Sequence, residues 1–180
     1  TLFNMTKYPE NDKQIEEAIK FLVFAIHESG KNPKPVILHS IRVGLHFYNL
    51  GYDKDIVIAA ILHDVIEDTD TKTEDVEAKF GNKIATLVEA NSFDERIQDK
   101  TERYKENFER CRKAGKDALI VKVADFFDNA DYYNLASTDE LTKWLLEKLK
   151  YFIDNSKDEL KDEAIYNELV KKYERIAKTL

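Results

Sequence analysis

Little in the sequence would brace the chain from outside. It holds one cysteine, Cys111, so no disulfide can close within it, and a reducing compartment suits it. Only five glycines and three prolines interrupt 180 residues, and nothing reads as a linker or a repeat. No apolar run is long enough to span a bilayer, which argues against a membrane partner. A basic excess is missing too: 28 Lys and Arg against 35 Asp and Glu leave a net charge of −7. A nucleic-acid partner needs a basic face, so none is expected. The opening TLFNMTKYPEND lacks the charged-then-apolar layout of a secretory leader, and cytoplasm is the expected compartment. This length suits one domain over residues 1–180 and buries a core without staples.

What is present is helical periodicity over most of the chain, so the fold class is all-α. A first helix is expected over Asp12–Ser29, with Ile15, Ala18, Ile19, Leu22, Val23 and Ile26 inward and Gly30 at its end. KNPKPV (31–36) is a loop fixed by Pro33 and Pro35. A second helix runs from Val36 to Leu50, and a third starts at the N-cap type Asp53. A short helix with Thr73 as N-cap ends at Gly81, and another covers 82–91. Residues 94–113 are charged and amphipathic, whereas 116–135 start apolar. Helices over 138–154 and 158–179 close the chain behind a core of 12–135.

The third helix carries an electrostatic anomaly. DIVIAAI (55–61) is apolar all round, and LHDVIEDTD (62–70) follows with a histidine and four carboxylates. On a helix Glu67 stacks over His63, and Asp68 over Asp64. Three carboxylates that close repel one another and are costly where water is scarce unless a cation sits among them. A solvated helix end is the plainer reading, although acidic residues there oppose the macrodipole. His39 on the preceding helix and Asp125, set in the apolar run LIVKVADFF, tip the balance. A buried aspartate needs a partner. Two imidazoles and two carboxylates form a ligand set suited to Mn²⁺, Fe²⁺ or Zn²⁺. With room left for water, such a site is hydrolytic rather than structural.

A histidine, then HD on a later helix, then a distant Asp resembles the pattern of HD-domain metal-dependent phosphohydrolases. AAILHDVIEDTDTKTEDVEAKFGNKIATLV (59–88) is similar to the hydrolase domain of RelA/SpoT-type alarmone enzymes, and VKVADFFDNA (121–130) resembles that family's KLAD-x-x-x-N run. The likeness covers most of residues 20–135. It implies an HD-domain helical bundle in which His39, His63, Asp64 and Asp125 bind one metal ion, typically Mn²⁺. It implies that Glu67 and Asp68 handle the attacking water and its protons, and that Lys31, Ser92 and Asn129 contact the substrate; Lys122 is a further candidate substrate contact. The implied reaction removes the 3′-pyrophosphate of guanosine tetra- or pentaphosphate.

The loop before the first metal histidine departs from that family. GKNPKPVILHS keeps Lys31 but places Gly30, Val36 and Ser40 where the family has arginine, tyrosine and proline. Phe126 and Asp131 stand where it has basic residues, leaving Lys31, Lys34, Arg42 and Lys122 as candidate cations. Three readings therefore stand: a stand-alone alarmone hydrolase without a synthetase domain; a phosphohydrolase of another nucleotide, such as a deoxynucleotide or a phosphorylated dinucleotide; and a non-catalytic nucleotide-binding module. The intact Glu67–Asp68 pair disfavours the last.

Other conspicuous residues have bland roles. His27 is expected to pack or hydrogen-bond, and His46 to sit on the surface or in the core. Phe126 and Phe127 are core or pocket wall. Trp144 and the tyrosines at 132, 133, 151, 166 and 173 serve helix packing. Cys111 lacks a histidine neighbour and is not a nucleophile, while Asp70, Glu74 and Asp75 lie on the surface.

Overall fold

The computed structural model describes residues 9–178 and is helical throughout, with no strand among them. The chain runs α1 (Glu10–Ser29), α2 (Val36–Asn49), α3 (Lys54–Leu62), α4 (Val65–Asp68), α5 (Thr73–Phe80), α6 (Asn82–Asn91), α7 (Lys100–Ala114) and α8 (Lys116–Asn129). A 3₁₀ segment (Ala130–Leu135) leads to α9 (Asp139–Leu160) and α10 (Ala164–Ala177). Residues 1–8 of the opening stretch and the end of the expected last helix at Thr179 lie outside the described residues.

The apolar run 55–61 is explained by position. α3 packs against α1, α2, α6 and α8 together, and every residue from Ile56 to Leu62 is buried. A helix enclosed on all sides has no polar face to show. Asp53 caps its start by accepting from the Asp55 N–H. The second enclosed helix is α8, against which α2, α3, α6, α7, α9 and α10 all pack. Its C-terminal half is gripped by an aromatic cluster from α7 and α9. Phe126 lies 5.0 Å from Phe152 between ring centroids, and Tyr104 and Phe108 meet Tyr151 at 5.6 Å each. The segment bearing Asp125 is thereby fixed from both sides.

Several boundaries differ from expectation. α3 does not run on through the acidic stretch: it stops at Leu62, and Asp64 adopts φ −95°, ψ −4°, which breaks the ladder before the single turn of α4. Lys72, not Thr73, occupies the N-cap of α5, with the Asp75 carboxylate accepting the Lys72 N–H at 2.9 Å. The charged stretch becomes helical only at Lys100, where Asp99 accepts from Thr101 and Glu102 N–H. α9 continues to Leu160, past the expected stop at 154, because no Gly or Pro interrupts it and Phe152, Ile153, Ser156 and Leu160 stay buried. On α1 the inward stripe is Ile15, Ala18, Leu22 and Ala25; Val23 points out at 41% exposure. Gly30 does receive the end of α1, its N–H reaching Ile26 O at 3.0 Å. Gly81 and Gly115, at φ 88° and 107°, are the lone hinges between α5 and α6 and between α7 and α8, a conformation that glycine adopts without strain.

α2 and α3 approach closely at Gly44. A Cβ added there would lie 2.2 Å from Ile61 Cγ1. Ile61 is fully buried and β-branched, so it has little freedom to yield. Gly44→Ala gains about 1 kcal/mol of helix propensity, but overpacking costs about 1–3 kcal/mol or more. The variant is expected to be less stable than wild type in denaturant unfolding; an unchanged or raised midpoint would contradict this packing.

Candidate metal centre

Three helices converge on one point. α2 brings His39 one turn after the proline loop, the end of α3 brings His63, the turn after it brings Asp64, and α8 brings Asp125. His39 and His63 are 5% and 1% exposed. Their Nε2 atoms face each other at 3.2 Å. Asp125 Oδ1 lies 3.3 Å from His39 Nε2 and 3.5 Å from His63 Nε2. Asp64 offers Oδ1 at 3.2 Å from His63 Nε2 and Oδ2 at 3.7 Å from His39 Nε2.

The outer hydrogen bonds decide what the inner nitrogens can do. His63 Nδ1 donates to Ala60 O at 2.7 Å. His39 Nδ1 sits 2.7 Å from Asp128 Oδ2. With both Nδ1 atoms bonded outward to acceptors, both Nε2 lone pairs are aimed at the same point. Two lone pairs that close repel unless a cation lies between them. The buried Asp64 Oδ2 also has no hydrogen-bond partner among the described residues. Nitrogen and carboxylate donors aimed at one point, with an oxygen left over, fit a divalent cation. His39, His63 and Asp125 present ligand atoms that all lie within 4.8 Å of one another.

Without a metal, protons take the cation's place. Burial pushes the His39 imidazole down, but hydrogen bonds to Asp125 and Asp128 outweigh it and lift its pKa to about 9. Burial likewise lowers His63, and the charges of Asp64 and Asp125 reverse the shift upward. Burial pushes Asp125 up, yet its bonds to the two histidines hold it well below the usual carboxylate range. Asn129 Nδ2 donates to the same Asp125 Oδ1 at 2.6 Å.

Glu67 and Asp68 sit one turn on, in α4. The Glu67 Oε2 atom accepts the Phe93 N–H at 3.2 Å. Burial and then the neighbouring Asp64 charge push the Glu67 carboxyl up. The same two causes raise Asp68, against the lowering effect of Asn32. Asn32 Nδ2 reaches both Asp68 oxygens, at 3.1 and 3.3 Å. The proline loop thus wraps this turn: the Lys31 N–H donates to Asp68 O at 2.8 Å, and Lys34 Nζ stands 3.6 Å from Asp64 Oδ2.

The expected substrate contacts fall in different places. Lys31 is exposed and pairs with Asp70 at 2.8 Å. Ser92 is buried and donates its hydroxyl to Val88 O. Lys122 is buried, not on the surface, with Nζ donating to Asn91 O at 2.9 Å. Arg42 is not free to meet an anion; it grips Asp128 with two bonds of 2.7 Å. His27 does not pack: its side chain is 81% exposed. His46 stacks on Phe127 at 5.1 Å, and the buried Cys111 thiol, raised by burial, is inert. Asn32 and Asp128 have no motif in the sequence. The one cue to Asp128 is its spacing, a turn after Asp125 and beside Asn129.

The chain resembles proteins of known kind over most of its length. A model of the HD domain matches residues 18–153. A guanosine-3′,5′-bis(diphosphate) 3′-pyrophosphohydrolase of Aquifex aeolicus is 28% identical over 96% of this chain, which spans only 26% of that relative. The Drosophila melanogaster enzyme of the same name, MESH1, is 33% identical, covering 69% of this chain and 71% of its own. A solved structure described as a metazoan ortholog of SpoT that hydrolyses ppGpp superimposes with a TM-score of 0.78 at 27% identity, covering 97% of this chain and all of that one.

In the metal-free protein His39 is expected to titrate near pH 9 instead of near its ordinary 6.5. Its pKa is raised by folding, so the stability it contributes is fully present below about pH 6.5 and is lost as the pH rises through about 9. NMR titration of the imidazole after chelation tests this, and a midpoint at or below 6.5 would contradict the paired geometry.

Proposed function

The chain belongs to the HD-domain family, and on that premise we propose that it is a metal-dependent 3′-pyrophosphohydrolase of guanosine tetra- and pentaphosphate. The observation that supports this most is the pair of buried imidazoles whose Nδ1 atoms are bonded outward and whose Nε2 atoms meet at 3.2 Å. His39, His63, Asp64 and Asp125 would hold the ion, a donor set that suits Mn²⁺, Fe²⁺ or Zn²⁺, of which the family resemblance favours Mn²⁺. When bound, the ion lowers the pKa of a water and polarises a phosphoryl oxygen. No helix among the described residues is long and apolar enough to cross a membrane, and a nucleotide substrate places the reaction in the cytoplasm.

The chain's own groups supply the rest. Phe93 fixes Glu67 Oε2 while Oε1 has no hydrogen-bond partner among the described residues, which leaves one oxygen able to take a proton from the attacking water. Its carboxyl is raised by burial and by Asp64, which brings its basicity closer to the working pH, where general catalysis is most effective. Asp68, raised in the same way but held through both oxygens by Asn32, is placed to hold a proton for the departing group. Asp128 orients His39, and Arg42 holds Asp128. Asn129 orients Asp125. Lys34, near Asp64, partly offsets the carboxylate field that an anionic substrate must enter.

The test is a panel of nucleotides, including guanosine tetraphosphate, incubated with Mn²⁺-loaded protein while pyrophosphate and phosphate are followed. Pyrophosphate release from the tetraphosphate is expected; turnover confined to other members would reassign the substrate, and silence across the panel would overturn hydrolysis.

Asp64→Ala is expected to lose the metal. Glu67→Gln is expected to keep it and lose roughly 10²–10⁴-fold in kcat, so full activity in that variant would remove Glu67 from its role. Asp128→Asn should weaken metal affinity by roughly 10–100-fold, measured by competition with a chelating dye.

A further inference from the structure

One cation stands apart from this machinery. Lys148 lies on α9, and its Nζ is 5.0 Å from the centroid of Phe93, 5.2 Å from Tyr104, 5.3 Å from Phe126 and 5.6 Å from Trp144. Four rings from four segments of the chain surround it. Rings attract a cation by about 0.5–2 kcal/mol, but they satisfy none of its three N–H donors as an oxygen would. The Lys148 residue is half-buried and its backbone carbonyl accepts the Tyr104 hydroxyl at 2.9 Å, but its ammonium makes no hydrogen bond and no ion pair among the described residues. Two buried lysines, by contrast, are matched: Lys122 by Asn91 O, and Lys172 by Phe127 O and Asp131.

Its setting adds repulsion. Lys122 Nζ lies 5.3 Å from the same Phe93 ring, so two ammonium groups share one aromatic wall. Burial and then the charge of Lys122 push Lys148 down to about 8, while Asp125, Glu67 and Asp64 pull it partly back. Those three carboxylates belong to the candidate centre, and Phe93 itself holds Glu67 through its N–H. The cation therefore borders the centre, yet no carboxylate of the centre pairs with it. A half-buried ammonium, walled by rings and set beside a second one, keeps N–H donors that the oxygens of an anion can fill better than the rings do.

We propose that Lys148 is a binding residue for a phosphate or diphosphate group of the substrate, one that does not sit on the metal, and that it selects nucleotides carrying a second phosphorylated arm. The substrate class rests on the function proposed above; the anion binding does not. It provides a cation in a chain where Gly30 and Asp131 are not basic and Arg42 is occupied by Asp128.

Trp144 is the single tryptophan of the chain and one wall of the box, so its fluorescence reports on occupancy without turnover. Chelator-treated wild type titrated with inorganic pyrophosphate is expected to give a saturable change in emission. Lys148→Met should weaken that binding at least about tenfold, equivalent to about 1.4 kcal/mol, while Lys148→Arg, which keeps the charge, should retain it. Because Met suits an aromatic box, Lys148→Met is expected to melt at or above the wild-type temperature. Wild-type silence toward pyrophosphate, equal binding by Lys148→Met, or a Met variant that fails to fold would each overturn the proposal.

In turnover, Lys148→Met should lower kcat/KM for guanosine tetraphosphate, mainly through KM, and spare guanosine 3′-diphosphate, which lacks the second arm. Equal losses on both would overturn selectivity. Lys148-dependent pyrophosphate binding in a protein that turns over neither nucleotide would uphold the anion site and refute the substrate.

Discussion

Two imidazole nitrogens facing each other across 3.2 Å inside a core is the constraint on which the rest of the site depends. With neither a cation nor a proton between the two nitrogens the arrangement would be repulsive, and each ring is held in it by an anchor from behind. His63 is anchored by the backbone of its own helix, and His39 by a carboxylate that Arg42 grips with two bonds. The break after Leu62 belongs to the same constraint. By leaving the helical ladder at Asp64, the chain presents His63 and Asp64 to one point and redirects the next turn, with Glu67 and Asp68, past it.

How much of this was legible in the sequence depended on whether the signal was local. The HD dipeptide, the acidic pair and the carboxylate inside LIVKVADFF each conflict with their apolar surroundings, and the conflict itself marked them. So did the enclosed α3, whose residues have no polar side. The break at Asp64 was not legible, because the i to i+4 spacing reads the same through a continuous helix as through a turn and a fresh helix. Asp128 and Arg42 meet across 86 positions, and no periodicity reports a pairing at that range. Lys148 was hidden for another reason. On a helix as charged as α9 a lysine reads as solvated, and only the arrival of α7 and the Phe93 segment turns its surroundings aromatic. α9 outran its expected stop because polar residues at 154–159 resemble a terminus while Ser156 and Leu160 face inward.

The supports of the site differ in kind. The candidate ligands hang on α2, α3 and α8, helices whose inner faces are core. The proposed acid–base pair hangs on a single turn, α4, that cannot persist alone. It is held instead by the 31–34 loop, through the Lys31 N–H to Asp68 O and Asn32 to the Asp68 carboxylate, and by the Phe93 N–H to Glu67. The site thus joins ligands carried on core helices to a pair held in place by loops.

That division bears on how such a chain can change over generations. Residues 31–35 enter between the capped end of α1 and the start of α2, mostly exposed and contributing little to the apolar interior. A replacement of Lys31, Pro33 or Pro35 opens no cavity in the core and strands no buried charge, the two lesions that most often unfold a protein, whereas Asn32 must stay to satisfy the buried Asp68 carboxylate. Sequence change can therefore be sampled at the exposed positions of this loop while the fold keeps its margin, whereas a change at His39 or Asp125 alters charge and packing in one stroke. The exposed positions of the loop are the tolerant end of the site, and under the proposed function relatives acting on other nucleotides would be expected to diverge there first.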